Sequence, residues 1–173
     1  PDLATYGKVI GGGLPVGAYG GPRALMEQLS PLGPVYQAGT LSGNPVAMAA
    51  GIATLRRLLA DGGAAYRELD RLGARLQSGL QAVVDDAGTG WSVVRLGSIL
   101  WLSLQSGPPP RRYEHIDPAA ADRYARLHAA LLERGVYLAP SAYEVLFVSL
   151  AHDDAAIVQT ITAFHDALTA VPR

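Results

Sequence analysis

Tyr6-Gly7-Lys8-Val9-Ile10-Gly11-Gly12-Gly13-Leu14-Pro15-Val16-Gly17-Ala18 holds the only lysine of this 173-residue chain; the remaining thirteen of its 14 cationic residues are arginine. Between Asp2 and Arg23 there is no other charge. A guanidinium stays protonated, whereas a poorly hydrated amine reaches its neutral form and attacks a carbonyl. Small and apolar neighbours favour that neutral form by disfavouring the charged one. Lys8 is therefore a Schiff-base candidate, and the plainer alternative is an exposed lysine at a turn.

Outward from Lys8, the glycine-rich start reads as a loop, a turn and a short strand near residues 16–20. Pro22 opens one or two helical turns. A second loop, Gln37-Ala38-Gly39-Thr40-Leu41-Ser42-Gly43-Asn44-Pro45, leads into a helix from Pro45 to about Ala60, with Asn44 or Ser42 as its cap. Asp61-Gly62-Gly63 breaks it, and an amphipathic helix follows over 64–87. Val93, Val94, Ile99, Leu100 and Leu102 suggest two strands interrupted at Gly97-Ser98. A helix is expected over 118–134, strands at 136–138 and 147–150, and a last helix capped by Asp153.

Hydroxyls and backbone N–H groups at Gly39–Asn44, ahead of a helix N-terminus, suit an anion such as phosphate. An aldehyde bearing a phosphate would engage both this loop and Lys8, and pyridoxal phosphate is such a molecule. Ordinary capping by Thr40 and Ser42 is the alternative for the loop read alone.

The remaining composition narrows the classes. A formal net charge of −1 with scattered arginines argues against a nucleic-acid partner. There are no cysteines, and the four histidines lack metal-ligand spacing. No apolar run is long enough for a membrane span. A cytoplasmic protein acting on a small molecule, without a metal, fits these features. The chain reaches its most informative segment within eight residues of Pro1, and reads as the C-terminal part of something longer.

Two segments, Gly7-Lys8-Val9-Ile10-Gly11-Gly12-Gly13-Leu14-Pro15-Val16-Gly17-Ala18 and Gln37–Pro45, resemble class III aminotransferase-like enzymes. Gly135-Val136-Tyr137-Leu138-Ala139-Pro140-Ser141-Ala142-Tyr143-Glu144, with Phe147–His152, narrows the resemblance to the glutamate-1-semialdehyde 2,1-aminomutase family. Aminotransferases of the class generally place an arginine near Glu144 to bind a substrate carboxylate; Tyr143 stands where the aminomutases commonly have Phe.

The resemblance implies an α/β fold, type I of the pyridoxal-phosphate-dependent transferases. Residues 1–75 would be the end of the large cofactor-binding domain, and 76–173 the small α+β C-terminal domain. It implies Lys8 as the lysine that holds pyridoxal phosphate and moves protons. It implies Thr40 on the phosphate, with Gly39 and Leu41 helping through backbone N–H groups, often across a homodimer. Ser141 and Glu144 would line the substrate or gating region. The implied reaction is an internal amino exchange giving 5-aminolevulinate, the tetrapyrrole precursor. An ω-aminotransferase and a non-catalytic α+β interaction module are the alternatives. The family's aspartate, stacking aromatic and second phosphate loop all lie upstream of the lysine. This chain alone is therefore expected to bind cofactor weakly, and to expose an apolar face over its first ~60 residues where a sheet would normally cover it.

Overall fold

The computed structural model describes residues 1–170. Their contacts divide the chain into two compact units, Pro1–Ala65 and a second beginning at Tyr66.

The first unit is built around the lysine segment. Strand β1 (Ala4–Tyr6) pairs antiparallel with β2 (Ala18–Gly20), matching Tyr6 with Ala18. β1 lies in the segment read from sequence as loop, because three residues among many glycines give no strand signal. The connection contains a 3-10 turn, Lys8–Gly11. Helix α1 (Arg23–Met26) follows, and then α2 (Pro45–Asp86). α2 is broken where the sequence places a break: Ala60 is extended, and Asp61, Gly62 and Gly63 have positive φ. Asn44 is its cap, with Oδ1 accepting from the N–H groups of Val46 and Ala47 at 3.1 Å each.

Only Gly11, Ala47 and Gly51 are buried in this unit. Gly51 is required: a Cβ there would run into the carbonyl oxygen of Ile10, so the lysine turn lies directly on the first part of α2. The expected apolar exposure is present. Tyr36 is 81% exposed, Leu32 78% and Leu59 70%.

The second unit holds the hydrophobic core, which contains no residue before Leu72. β3 (Ser92–Leu96) and β4 (Ile99–Ser103) form a hairpin turning at Gly97-Ser98, and β5 (Leu146–Phe147) adds antiparallel to β4. Helices α3 (Ala120–Glu133) and α4 (Asp154–Ala170) complete the unit. Leu72, Leu76 and Leu80 from α2 meet Leu100 and Leu102, Leu127 and Leu131, and Phe164. Gly79 lets α2 approach α4, since a Cβ there would strike the Ile161 side chain. At the open edge of β3, Gln81 Oε1 accepts from Val93 N–H at 2.8 Å and Gln77 Nε2 donates to its carbonyl at 2.9 Å. These side-chain amides stand in for a neighbouring strand.

Residues 136–138 are not a strand. The Leu138 and Ala139 carbonyls accept from side chains of α3 instead of from a ladder. The strand expected at 147–150 is limited to Leu146–Phe147, because Ser149–His152 closes a turn in which His152 N–H donates to Ser149 O at 3.1 Å.

Candidate functional site

Lys8 lies two residues beyond β1 and opens the 3-10 turn with a φ of 52°. A lysine in the left-handed region is uncommon and costs energy, and such residues concentrate at functional sites. Gly11 follows in the same turn, and Gly12 N–H donates to Val9 O at 3.1 Å to close it. The Lys8 side chain is exposed and forms no hydrogen bond or ion pair among the described residues. Within this chain, the neighbours that are apolar in sequence do not bury the amine.

Gly39, Thr40 and Leu41 belong to the same unit as Lys8. Ser42 N–H donates to Gly39 O at 2.9 Å and Asn44 N–H to Leu41 O at 3.1 Å, so two successive turns hold the loop. The N–H groups of Thr40 and Leu41 and the Thr40 hydroxyl have no partner among the described residues. They belong to a groove of about 400 Å³ lined also by Pro15, Val16, Gly17 and Met48. No acidic side chain lines it. Such a cradle can take an anion. The helix N-terminus itself is not the donor set, since Asn44 already caps Val46 and Ala47. Pro15 and Val16 belong to the lysine segment, whereas nothing in the spacing of Met48 marks it.

Ser141 and Glu144 lie in the second unit. Ser141 serves a turn: its Oγ accepts from Tyr143 N–H at 3.3 Å, and its carbonyl from Glu144 N–H at 3.2 Å. The Glu144 side chain is exposed, with no hydrogen bond or ion pair among the described residues. Its charge is nonetheless felt nearby: burial first, and Glu144 second, push the Tyr124 hydroxyl up to about 12. Glu144 also lines a crevice of about 490 Å³ with Tyr137, Leu146, His152 and Phe164. Among the described residues no three or more His, Asp or Glu side chains are grouped to hold a metal ion. No described helix is long and apolar enough to cross a membrane.

Comparison with known proteins places this geometry. The chain is 50% identical over 171 residues to the glutamate-1-semialdehyde 2,1-aminomutase of Roseiflexus castenholzii, covering 99% of this chain and 39% of the relative. It is 48% identical over 170 residues to that of Sorangium cellulosum, covering 98% and 38%. The chain thus spans somewhat under two-fifths of the length of these relatives. Among solved structures, an omega-transaminase from Sphaerobacter thermophilus superposes with a TM-score of 0.83 at 31% identity, covering 98% of this chain and 38% of that one. A glutamate-1-semialdehyde-aminomutase from Pseudomonas aeruginosa PAO1 gives 0.81 at 26% identity, covering 98% and 39%. The fold is the α/β fold of the type I pyridoxal-phosphate-dependent transferases, and the sequence is closely related to the aminomutases. The family model for aminotransferase class-III matches residues 1–168, and the chain belongs to that family.

Proposed function

We propose that the intact protein is a glutamate-1-semialdehyde 2,1-aminomutase. It would use pyridoxal phosphate to exchange an amino group within one molecule and release 5-aminolevulinate. The observation that carries the reading is the Thr40 turn, whose uncommitted hydroxyl and N–H donors share a unit with the sole lysine. The residues present fit a phosphate-bearing aldehyde: donors without acids at one place, a free primary amine at the other.

When bound, pyridoxal phosphate supplies an electron sink and an exchangeable nitrogen. Lys8 would hold the cofactor through its Nζ and, as a neutral amine, would take a proton from one substrate carbon and return one to its neighbour. Thr40 Oγ1 and the N–H groups of Gly39, Thr40 and Leu41 hold phosphate oxygens, in a homodimer those of the neighbouring subunit's cofactor. Glu144 and Ser141 line the substrate region, Ser141 by shaping the turn that presents Glu144. Residues 1–75 then act as the end of the cofactor domain and 76–173 as the small domain, in a cytoplasmic enzyme. The identity of 48–50% to aminomutases over nearly the whole chain supports this choice of chemistry.

Borohydride added to the intact protein with pyridoxal phosphate is expected to leave a phosphopyridoxyl group on Lys8, read by peptide mass spectrometry. A label on another residue, or none, removes Lys8 from the reaction. Transfer between two molecules is the competing reading. An omega-transaminase superposes as well as the aminomutase does, TM-score 0.83 against 0.81, so the fold accommodates either chemistry. Turnover of glutamate-1-semialdehyde without any added amino donor or acceptor decides for the aminomutase; an absolute need for one decides against it.

A further inference from the structure

The segment from Leu138 to Glu144 is held by side chains rather than by a sheet. Tyr124 donates its hydroxyl to Ala139 O at 2.6 Å, His128 Nε2 meets Leu138 O at 3.2 Å, and Trp101 Nε1 donates to Ala142 O at 2.9 Å. Tyr124 and His128 are four residues apart on α3 and so share a face; Trp101 comes from β4. All three therefore stand on regular elements, and together they bracket Pro140 and Ser141. Their rings support one another: Tyr124 and His128 lie 6.1 Å apart, and His128 and Tyr137 lie 6.2 Å apart edge to face. Tyr124 is 2% exposed, so its ring is fixed by the core.

We propose that Trp101, Tyr124 and His128 are positioning residues for the amino exchange: they fix the backbone of 138–144 and thereby set where the Glu144 carboxylate stands. The proposal rests on the reading of Glu144 as a group that faces substrate. Two further observations agree with it. The three donors are used on carbonyls, which leaves the Glu144 carboxylate free of any bond among the described residues. The Tyr124 hydroxyl, buried and close enough to feel Glu144, keeps its proton at neutral pH and stays a donor. A loop anchored only by its own turn would let a carboxylate wander by more than the tolerance of a reacting geometry.

Tyr124→Phe in the intact protein removes one hydroxyl and keeps the ring, and His128→Phe is the second variant. Amide hydrogen exchange at residues 138–144 is expected to quicken about tenfold in each, with exchange in α2 unchanged. The kcat/KM for glutamate-1-semialdehyde is expected to fall about tenfold, mainly through kcat, and Tyr124→Phe added to Glu144→Gln is expected to cost less than about twofold more. Unchanged exchange at 138–144 overturns the positioning role itself. Quickened exchange together with full activity in Glu144→Gln overturns the proposal from the other side, because the anchors then hold a segment that the reaction does not use.

Discussion

Thr40 and Lys8 stand in quite different local surroundings. Thr40 offers a hydroxyl and an N–H with no partner of their own among the described residues, in a loop closed by the Ser42–Gly39 and Asn44–Leu41 hydrogen bonds. Thr40→Val keeps the branched shape and removes only the hydroxyl. The expected result is an affinity of the intact protein for pyridoxal phosphate lowered about tenfold, the effect of one hydrogen bond to a charged group. Equilibrium dialysis of the two proteins measures it, and an unaltered affinity takes the hydroxyl off the phosphate. What makes both residues candidates is legible in the sequence, since a lone lysine among arginines and a hydroxyl before a helix are visible there. The φ of 52° at Lys8 could not, because no residue pattern announces a left-handed lysine at the start of a 3-10 turn. Nor could the exposure of its amine.

Elements show the same division. Helix limits follow local signals: Asn44 and Asp153 cap α2 and α4 where the sequence suggests, with Asp153 Oδ1 accepting from Ala156 N–H at 2.8 Å. The segment at 136–138 has strand-forming residues, yet Tyr124 and His128 take the Ala139 and Leu138 carbonyls, a tertiary event that no pattern in those residues announces. Charge also joins elements distant in sequence. Arg71 forms a two-pronged pair with Glu68 at 2.7–2.8 Å and reaches Asp154 of α4 at 3.0 Å, and Arg75 binds the same Asp154 carboxylate. The hydrogen bond from Arg71, then that from Arg75, holds Asp154 below the usual carboxylate range; Arg71 does the same for Glu68. A depressed carboxylate stabilises the fold above its unfolded pKa, near 4, and the contribution is lost as pH falls through the lower folded value. These groups are half exposed, so solvent screens the effect. Thermal midpoints of the intact protein should be level from about pH 5 to 8 and drop below about pH 4, and Asp154→Asn should make that acid limb shallower. An acid limb identical in Asp154→Asn and wild type would show that the α2–α4 ion pairs do not contribute.

The molecule as a whole is uneven in how its stability arises. Every residue of the hydrophobic core lies at or after Leu72, while the first unit buries only Gly11, Ala47 and Gly51. Burial of apolar surface is the main favourable term in folding, so a unit without it has little to set against its chain entropy. The second unit has one core shared by α2, the β3–β5 sheet and the α3 and α4 helices, enough for a cooperative transition. Residues 66–170 made alone should unfold in urea in one transition with a slope of about 1 kcal/mol/M, and at a midpoint close to that of the 173-residue chain. The longer chain should in addition bind an apolar dye such as anilinonaphthalene sulfonate while its second unit is still folded, because side chains such as Leu32, Tyr36 and Leu59 face solvent. If residues 66–170 fail to fold, or if the longer chain binds no dye before its transition, then the first unit contributes to a common core and the division at 65/66 does not describe separate stabilities. The expected outcome places the lysine and the Thr40 groove on the part of the chain that depends most on other protein surface for its order, and the Glu144 segment on the part that depends least.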